Sequence, residues 1–63
     1  MTPKQLRAAL NMTQPEMANM MGVAERTVRY AEAGHAMSAS LKFAYKLIEL
    51  MHKHCPKLLE KLR

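Results

Sequence analysis

Apolar residues recur every three or four positions in several segments of the chain, and polar or glycine-containing turns separate these segments. The first segment begins with Thr2 and Gln5 at the spacing of a capping box, and Pro3 suits the first helical position. Its apolar pattern ends at Asn11, a residue that tolerates the left-handed conformation found after many helices. The pattern predicts a first helix of about two turns.

Two further helices are predicted around a glycine. Thr13, followed three residues later by Glu16, repeats the capping signal, so helix 2 is expected at about residues 14–21. Gly22 ends it in a left-handed conformation, where a side chain would cost about 1 kcal/mol. Helix 3 is expected at about residues 25–33, ending at Gly34. Two short helices joined by a tight turn are typical of the helix-turn-helix motif, whose second helix enters the major groove of DNA.

The fourth helix is predicted to be the longest, at about residues 39–54, with Ser38 or Ser40 at its start. One apolar stripe along this helix is enough to pack against a small core. A second stripe beside it makes the apolar arc wider than such a core requires, which indicates a surface that binds a partner. Pro56 ends the helix, and a short fifth helix is expected at about residues 56–62. The predicted core stripe is Leu41, Ala44, Ile48, Met51 and Cys55. The predicted partner surface is Phe43, Leu47, Leu50, Leu58, Leu59 and Leu62.

Charge narrows the class of partner. Ten Lys and Arg against five Asp and Glu give a net charge of +5, which favours nucleic acid through counterion release. Charge alone would favour binding to an anionic membrane surface equally well.

With 63 residues, 49% hydrophobic content and one cysteine, the chain is expected to form a single domain at residues 1–63, without disulfides, in a reducing cytoplasm. No signal peptide is expected, because the first residues, Met1 to Lys4, do not begin one, and no membrane-spanning segment is expected, because no apolar run approaches roughly 20 residues.

Metal binding and catalysis have little support in the sequence. His52 and Cys55 are three positions apart on one helical face, but they offer at most two ligands and have no second cluster. The chain has no Ser-His-Asp pattern and no phosphate-binding loop, and it is too short to enclose a substrate. We therefore expect no enzymatic activity, no cofactor, no metal and no small-molecule effector.

The segment from Met12 to Gly34 resembles, without a gap, the Cro/C1-type family of phage repressors, also called the XRE family. The residues that match the family pattern are Thr13, Gln14, Ala18, Gly22, Val23, Val28, Glu32 and Gly34. Arg7 matches the family's helix-1 arginine, so the resemblance covers about residues 6–50. Pro15 is unusual in this pattern, Ala24 replaces a Ser or Thr cap, and Ala31 is smaller than expected. The resemblance implies an all-α, compact domain of four or five helices with a lambda-repressor-like fold.

The resemblance also implies roles for individual residues. The positions that match base-reading residues are Glu25, Arg26, Thr27, Arg29 and Tyr30. The positions assigned to phosphate contacts are Thr13, Gln14, Ser38 and Lys42. Arg26 is the strongest candidate, because a guanidinium group can bind guanine O6 and N7 together. Three roles are open for Glu25: its carboxylate accepts a hydrogen bond from cytosine N4, interacts favourably with the dipole at the start of the helix, or orients Arg26. Arg7 and Glu32 are expected to form a salt bridge between helices 1 and 3.

The resulting hypothesis is a regulator that binds double-stranded DNA as a homodimer, with recognition helices about 34 Å apart on a pseudo-palindromic operator. It would act as a repressor or autorepressor in the nucleoid of a prokaryotic or phage-infected cell. A phage Cro-type or plasmid regulator, an antitoxin and an anti-CRISPR-associated regulator all remain open. The alternative is a module that binds a protein such as a toxin, with DNA contact secondary. A cationic helix on a membrane surface ranks third.

Overall fold

The computed structural model describes residues 1–63, which form five α-helices and no β-strand. The helices are α1 at Pro3–Ala9, α2 at Gln14–Met21, α3 at Glu25–Glu32, α4 at Ala39–His54 and α5 at Pro56–Glu60. This confirms the predicted all-α class. The last helix ends at Glu60 rather than at residue 62, and α3 ends at Glu32 rather than at residue 33. None of the helices is both long and apolar enough to cross a membrane.

Side chains cap the start of three helices. Thr2 and Thr13 each accept from the backbone N–H three residues later, and the side chains of Gln5 and Glu16 return the bond, which completes two capping boxes. Ser38 caps α4 by accepting from the amide of Leu41 at 3.2 Å. By contrast, Ala24 precedes α3 and provides no side-chain cap. The amides in the first turn of α3 therefore lack a side-chain acceptor.

The first three helices end in the same type of hydrogen-bonded turn. A left-handed residue follows the helix, and the next amide bonds back to a carbonyl five residues earlier. The left-handed residues are Asn11, Gly22 and Gly34, with φ angles of 56°, 72° and 91°. The amides that bond back belong to Met12, Val23 and His35, at 3.2, 3.0 and 3.0 Å from the oxygens of Arg7, Ala18 and Tyr30. These turns set the directions in which α2, α3 and the α3–α4 loop leave the preceding helix.

One apolar core connects all five helices. Its members are Leu6, Leu10, Met12, Met17, Ala18, Val28, Ala31, Tyr45, Ile48 and Leu59. Leu6, Met17 and Val28 are the large side chains that are essentially inaccessible to solvent, one each from α1, α2 and α3. Burying a side chain of this size contributes about 1.5–3 kcal/mol. The core therefore fixes α3 against both helices that precede it.

Two predictions near the α4–α5 junction are wrong. Cys55 was expected in the core but is exposed, because φ of −136° and ψ of 56° break the helix there and turn the side chain away from the stripe. Leu59 was expected on the partner surface but is 2% exposed and belongs to the core, because α5 restarts at Pro56 with a different face inward. The core also contains Tyr45 on α4, which the predicted stripe did not include.

Candidate nucleic-acid interface

An ion-pair network joins the ends of α1 and α3. Arg7 donates from Nε and Nη2 to the two carboxylate oxygens of Glu32, at 2.6 and 3.0 Å, and from Nη1 to the carbonyl oxygen of Met12 at 3.0 Å. The side chains of Arg7 and Glu32 are only 19% and 6% exposed. The hydrogen bonds from Arg7 hold the pKa of the Glu32 carboxyl below its usual value, although burial opposes them. The structure therefore brings together the two residues that the family resemblance paired.

Gln14 connects the start of α2 to the same network. Its Nε2 atom donates to Oε1 of Glu32 at 3.2 Å. The Glu32 carboxylate thus accepts hydrogen bonds from α1 and from α2 while it lies in the last turn of α3. A side-chain amide has two N–H donors, so Gln14 keeps one for a second acceptor such as a phosphate oxygen. The core sets the relative positions of α1, α2 and α3, and these polar contacts stabilise the same arrangement.

The outer face of α3 presents four of the five residues predicted to read bases. Positions advance by about 100° per residue along a helix, so these four cluster on the side opposite Val28 and Ala31, which face the core. The four exposed residues are Glu25, Arg26, Arg29 and Tyr30. Thr27 does not share this face. It is partly buried at the flank of α3, between Tyr30 and Ala31 in the helical period, and its assigned base contact stays a prediction.

An ion pair on the outer face leaves one arginine without a partner. Arg29 Nη1 donates to Glu25 Oε2 at 2.6 Å across one helical turn. Because both side chains are about half exposed, the pair adds little stability, but it holds Arg29 along the helix axis. Of the roles left open for Glu25, orienting Arg26 does not occur, since Glu25 binds Arg29. Arg26 forms no hydrogen bond or ion pair, and all five of its N–H donors are available.

Tyr30 forms a ring pair with His35, a residue that the sequence analysis did not identify. The two ring centroids are 5.2 Å apart and the ring planes are inclined by 53°. The His35 amide also donates to the Tyr30 carbonyl at 3.0 Å. A local signal was present in the sequence, because the residue after a helix-ending glycine often contacts the side chain five positions earlier. The outer face of α3 therefore ends in an aromatic pair.

The four residues predicted to contact phosphates lie at the starts of α2 and α4. They are Thr13, Gln14, Ser38 and Lys42. The hydroxyl oxygens of Thr13 and Ser38 accept the capping bonds described above, so each hydroxyl retains its proton to donate. Lys42 is exposed on the first turn of α4 and has no acidic partner. Each of these side chains thus keeps at least one donor that an anionic oxygen can accept.

A second surface is apolar. Five of the six residues assigned to a partner surface are exposed, and we call these five the exposed apolar face. They are Phe43, Leu47, Leu50, Leu58 and Leu62, exposed by 67, 45, 46, 52 and 53%. The three on α4 follow each other at intervals of four and three residues, so they form one stripe on the side of α4 away from the core. No group of three or more His, Cys, Asp or Glu residues is placed to hold a metal ion.

Comparison with known proteins agrees with this geometry. The family model described as helix-turn-helix matches residues 4–58. The chain is also similar to an uncharacterized HTH-type transcriptional regulator of Archaeoglobus fulgidus, with 41% identity over 49 residues, which covers 78% of this chain and 68% of the relative. No solved structure matches the chain significantly. The motif of α2 and α3, the Arg7–Glu32 pair and these two matches agree, and the chain belongs to the Cro/C1-type family of helix-turn-helix DNA-binding domains, which are not enzymes.

Proposed function

We propose that this protein is a sequence-specific transcriptional repressor or autorepressor that binds a pseudo-palindromic operator as a homodimer, with α3 in the major groove. The observation that carries the proposal is the outer face of α3. It exposes an unpaired arginine, Arg26, between the Glu25–Arg29 ion pair and the Tyr30–His35 ring pair. The membership in the family and the similarity to a transcriptional regulator support the same function.

Base recognition is assigned chiefly to Arg26. It lies in the first turn of α3, the end that enters the groove most deeply in helix-turn-helix proteins. Its planar guanidinium can donate to O6 and N7 of one guanine, and this bidentate contact distinguishes guanine from the other bases. Tyr30 lies one turn further along the same face, next to Arg26, and would contact the adjacent base pairs. Arg29 is oriented by Glu25 and is assigned to a base edge or a flanking phosphate.

Phosphate contacts would fix the register of α3 in the groove. Thr13, Gln14, Ser38 and Lys42 retain donors, and the amide of Gln14 is oriented by its bond to Glu32. Contacts of this type position the protein without reading sequence, and they make the affinity for DNA fall as salt rises. With a net charge of +5, the chain favours such contacts at long range as well.

The exposed apolar face is assigned to a second copy of the chain. Contiguous apolar surface that remains outside the core commonly marks an interface. The stripe of Phe43, Leu47 and Leu50 has the spacing that allows two helices to pack on each other, and a two-fold axis would place the same stripe on both sides. A dimer also explains how a domain of this size holds DNA, since each copy then reads one half-site of the operator.

The experiment is selection of DNA duplexes from a randomised pool by the full chain, followed by affinity measurements on the enriched duplex and a shuffled one. We expect an enriched pseudo-palindrome. Arg26→Lys keeps the charge but loses the planar fork, so its preference for the enriched duplex should fall about 5- to 150-fold. Lys53→Ala removes an exposed charge from the far half of α4 and should retain the preference. Lack of enrichment, or an unchanged preference in Arg26→Lys, would refute sequence-specific reading through Arg26.

The exposed apolar face also supports a second candidate function, that of an antitoxin or similar module that binds another protein. Sedimentation of the wild type and of Leu47→Glu distinguishes the two. A homodimer predicts that the wild type self-associates and binds the selected duplex as two copies, and that Leu47→Glu is monomeric. A wild-type chain that stays monomeric, both free and on DNA, would contradict the homodimer and favour a different protein as the occupant of this face.

A further inference from the structure

The turn that follows α3 differs from the two similar turns before it. In each turn, the amide after the left-handed residue donates to the carbonyl five positions earlier. After α1 and α2 this residue is apolar: Met12 belongs to the core, and Val23 packs against it. After α3 it is His35, which is exposed and has its ring beside Tyr30. The same type of turn therefore places an apolar residue at the core after α1 and after α2, but places His35 on the outer face of α3 after α3.

Two contacts fix His35 relative to Tyr30. The His35 amide donates to the Tyr30 carbonyl at 3.0 Å, and the Gly34 amide donates to the Ala31 carbonyl at 3.3 Å, so the backbone of the turn is closed by two hydrogen bonds. The rings are 5.2 Å apart at an inclination of 53°, a tilted geometry that is favourable for aromatic pairs. Tyr30 is 56% exposed and has no hydrogen bond from its hydroxyl within the protein. The imidazole is therefore the neighbour that restricts the direction of the Tyr30 ring.

We infer that His35 is a positioning residue for Tyr30: it holds the tyrosine ring in one orientation beside Arg26, and so sharpens discrimination at the base pair that Tyr30 contacts. This inference rests on the proposed DNA-reading role of α3. A tyrosine without a neighbour can occupy more than one rotamer, and ordering it on binding costs free energy that reduces discrimination. A ring held in place before binding avoids this cost. His35 itself need not contact DNA for this effect.

The experiment begins with the duplex that the wild-type chain selects from a randomised pool. Every single base-pair change in it is tested against the wild type, Tyr30→Ala, His35→Ala and His35→Phe. The positions at which Tyr30→Ala no longer discriminates are those that Tyr30 contacts. At these positions we expect His35→Ala to lose about two- to tenfold of the discrimination, the range expected for an aromatic pair. His35→Phe, which keeps a ring, should restore it, and discrimination at the Arg26 position should not change.

Binding to shuffled DNA separates positioning from a direct phosphate contact. A positioning residue leaves the affinity for shuffled DNA as in the wild type, whereas loss of a phosphate contact weakens binding to all sequences. His54→Ala removes an exposed imidazole from the end of α4 and serves as the matched control. Thermal unfolding of each variant shows that the compared chains are folded.

The outcomes are distinct for the inference and for the proposed function. The positioning role is supported if His35→Ala loses discrimination only at the base pairs that Tyr30 contacts and His35→Phe recovers it. A uniform loss on all DNA, an unchanged His35→Ala, or a His35→Phe that behaves like His35→Ala overturns it, while sequence-specific binding by the wild type still stands. If the wild type selects no sequence, the proposed function fails, and the positioning role fails with it.

Discussion

The guanidinium of Arg7 and the carboxylate of Glu32, 25 positions apart in the chain, form two parallel hydrogen bonds of 2.6 and 3.0 Å. The third donor group of Arg7 binds the Met12 carbonyl, and Gln14 binds the same carboxylate. The pair therefore connects the last turn of α3 with the end of α1 and the start of α2. Because α3 carries the residues assigned to base reading, the stability of this pair affects how precisely the reading face is placed.

Removal of Glu32 should destabilise the fold strongly. Glu32→Ala leaves the Arg7 guanidinium partly buried without a counter-charge. Breaking a fully buried pair costs about 3–5 kcal/mol and an exposed pair contributes about 0–1 kcal/mol, so we expect a loss of about 2–3 kcal/mol for this partly buried pair. Urea unfolding followed by circular dichroism measures this difference. The matched control is Glu60→Ala, which removes an exposed carboxylate that has no ion pair and should change stability by less than about 0.5 kcal/mol. Equal stabilities of the two variants would show that the pair adds nothing.

Acid should weaken the fold through the same carboxylate. The pKa of Glu32 is lower in the folded chain than its ordinary value of 4.5, chiefly because Arg7 donates to it. Its contribution to stability is therefore fully present above pH 4.5 and is lost as the pH falls through the depressed folded pKa. The pKa values of Glu16 and Glu49 are also lowered, by bonds from Thr13 and from the N-terminal amine, so they act in the same direction.

The measurement for this prediction is the free energy of unfolding between pH 7 and pH 3. Glu32→Gln cannot ionise at this position, so its stability should start lower and fall less steeply with acid than that of the wild type. Glu60→Gln should keep the wild-type slope. If the curves of the wild type and Glu32→Gln were parallel, the folded pKa of Glu32 would not be depressed.

The hydroxyl of Tyr45 should be dispensable for stability. It is buried on α4 and has no hydrogen-bond partner, and burial raises the pKa of the phenol. An unsatisfied buried polar group costs about 1–3 kcal/mol, so Tyr45→Phe is expected to leave stability unchanged or to raise it. Tyr45→Ala should instead cost about 3–5 kcal/mol, because it leaves a cavity in the core. Loss of stability in Tyr45→Phe on urea unfolding would mean that the hydroxyl has a partner in solution.

Local signals in the sequence were sufficient for the helices and their order. The capping boxes at Thr2 and Thr13 and the left-handed residues after the helices act within a few positions, so their effect does not depend on the rest of the fold. The helical period predicts which residues of α3 share a face, whereas the base-reading roles of these residues are implied by the family resemblance. The resemblance groups Thr27 with these residues, but its position in the same period places it at the flank of α3, where it is partly buried.

Local sequence signals could not predict the features that depend on packing between helices. The break at Cys55 decides which face of α5 turns inward, and Leu59 rather than its neighbours reaches the core as a result. Tyr45 is buried because α4 packs onto residues that are distant in the sequence, which no local pattern encodes. The position of His35 next to Tyr30 could have been predicted from local signals, because the turn after Gly34 has the same hydrogen bond as the turn after Gly22.

A serine at position 24 should stabilise α3. Ala24 has φ of −70° and ψ of 149°, the extended conformation that Thr2, Thr13 and Ser38 adopt at the other capped helix starts. A serine hydroxyl would accept from an uncapped amide in the first turn, and such a cap contributes about 1 kcal/mol. Urea unfolding of Ala24→Ser measures the gain, and Ala24→Val, which cannot accept a hydrogen bond, is the control. If both variants unfolded at the same urea concentration, the uncapped amides would already have another acceptor, such as water, at no net cost.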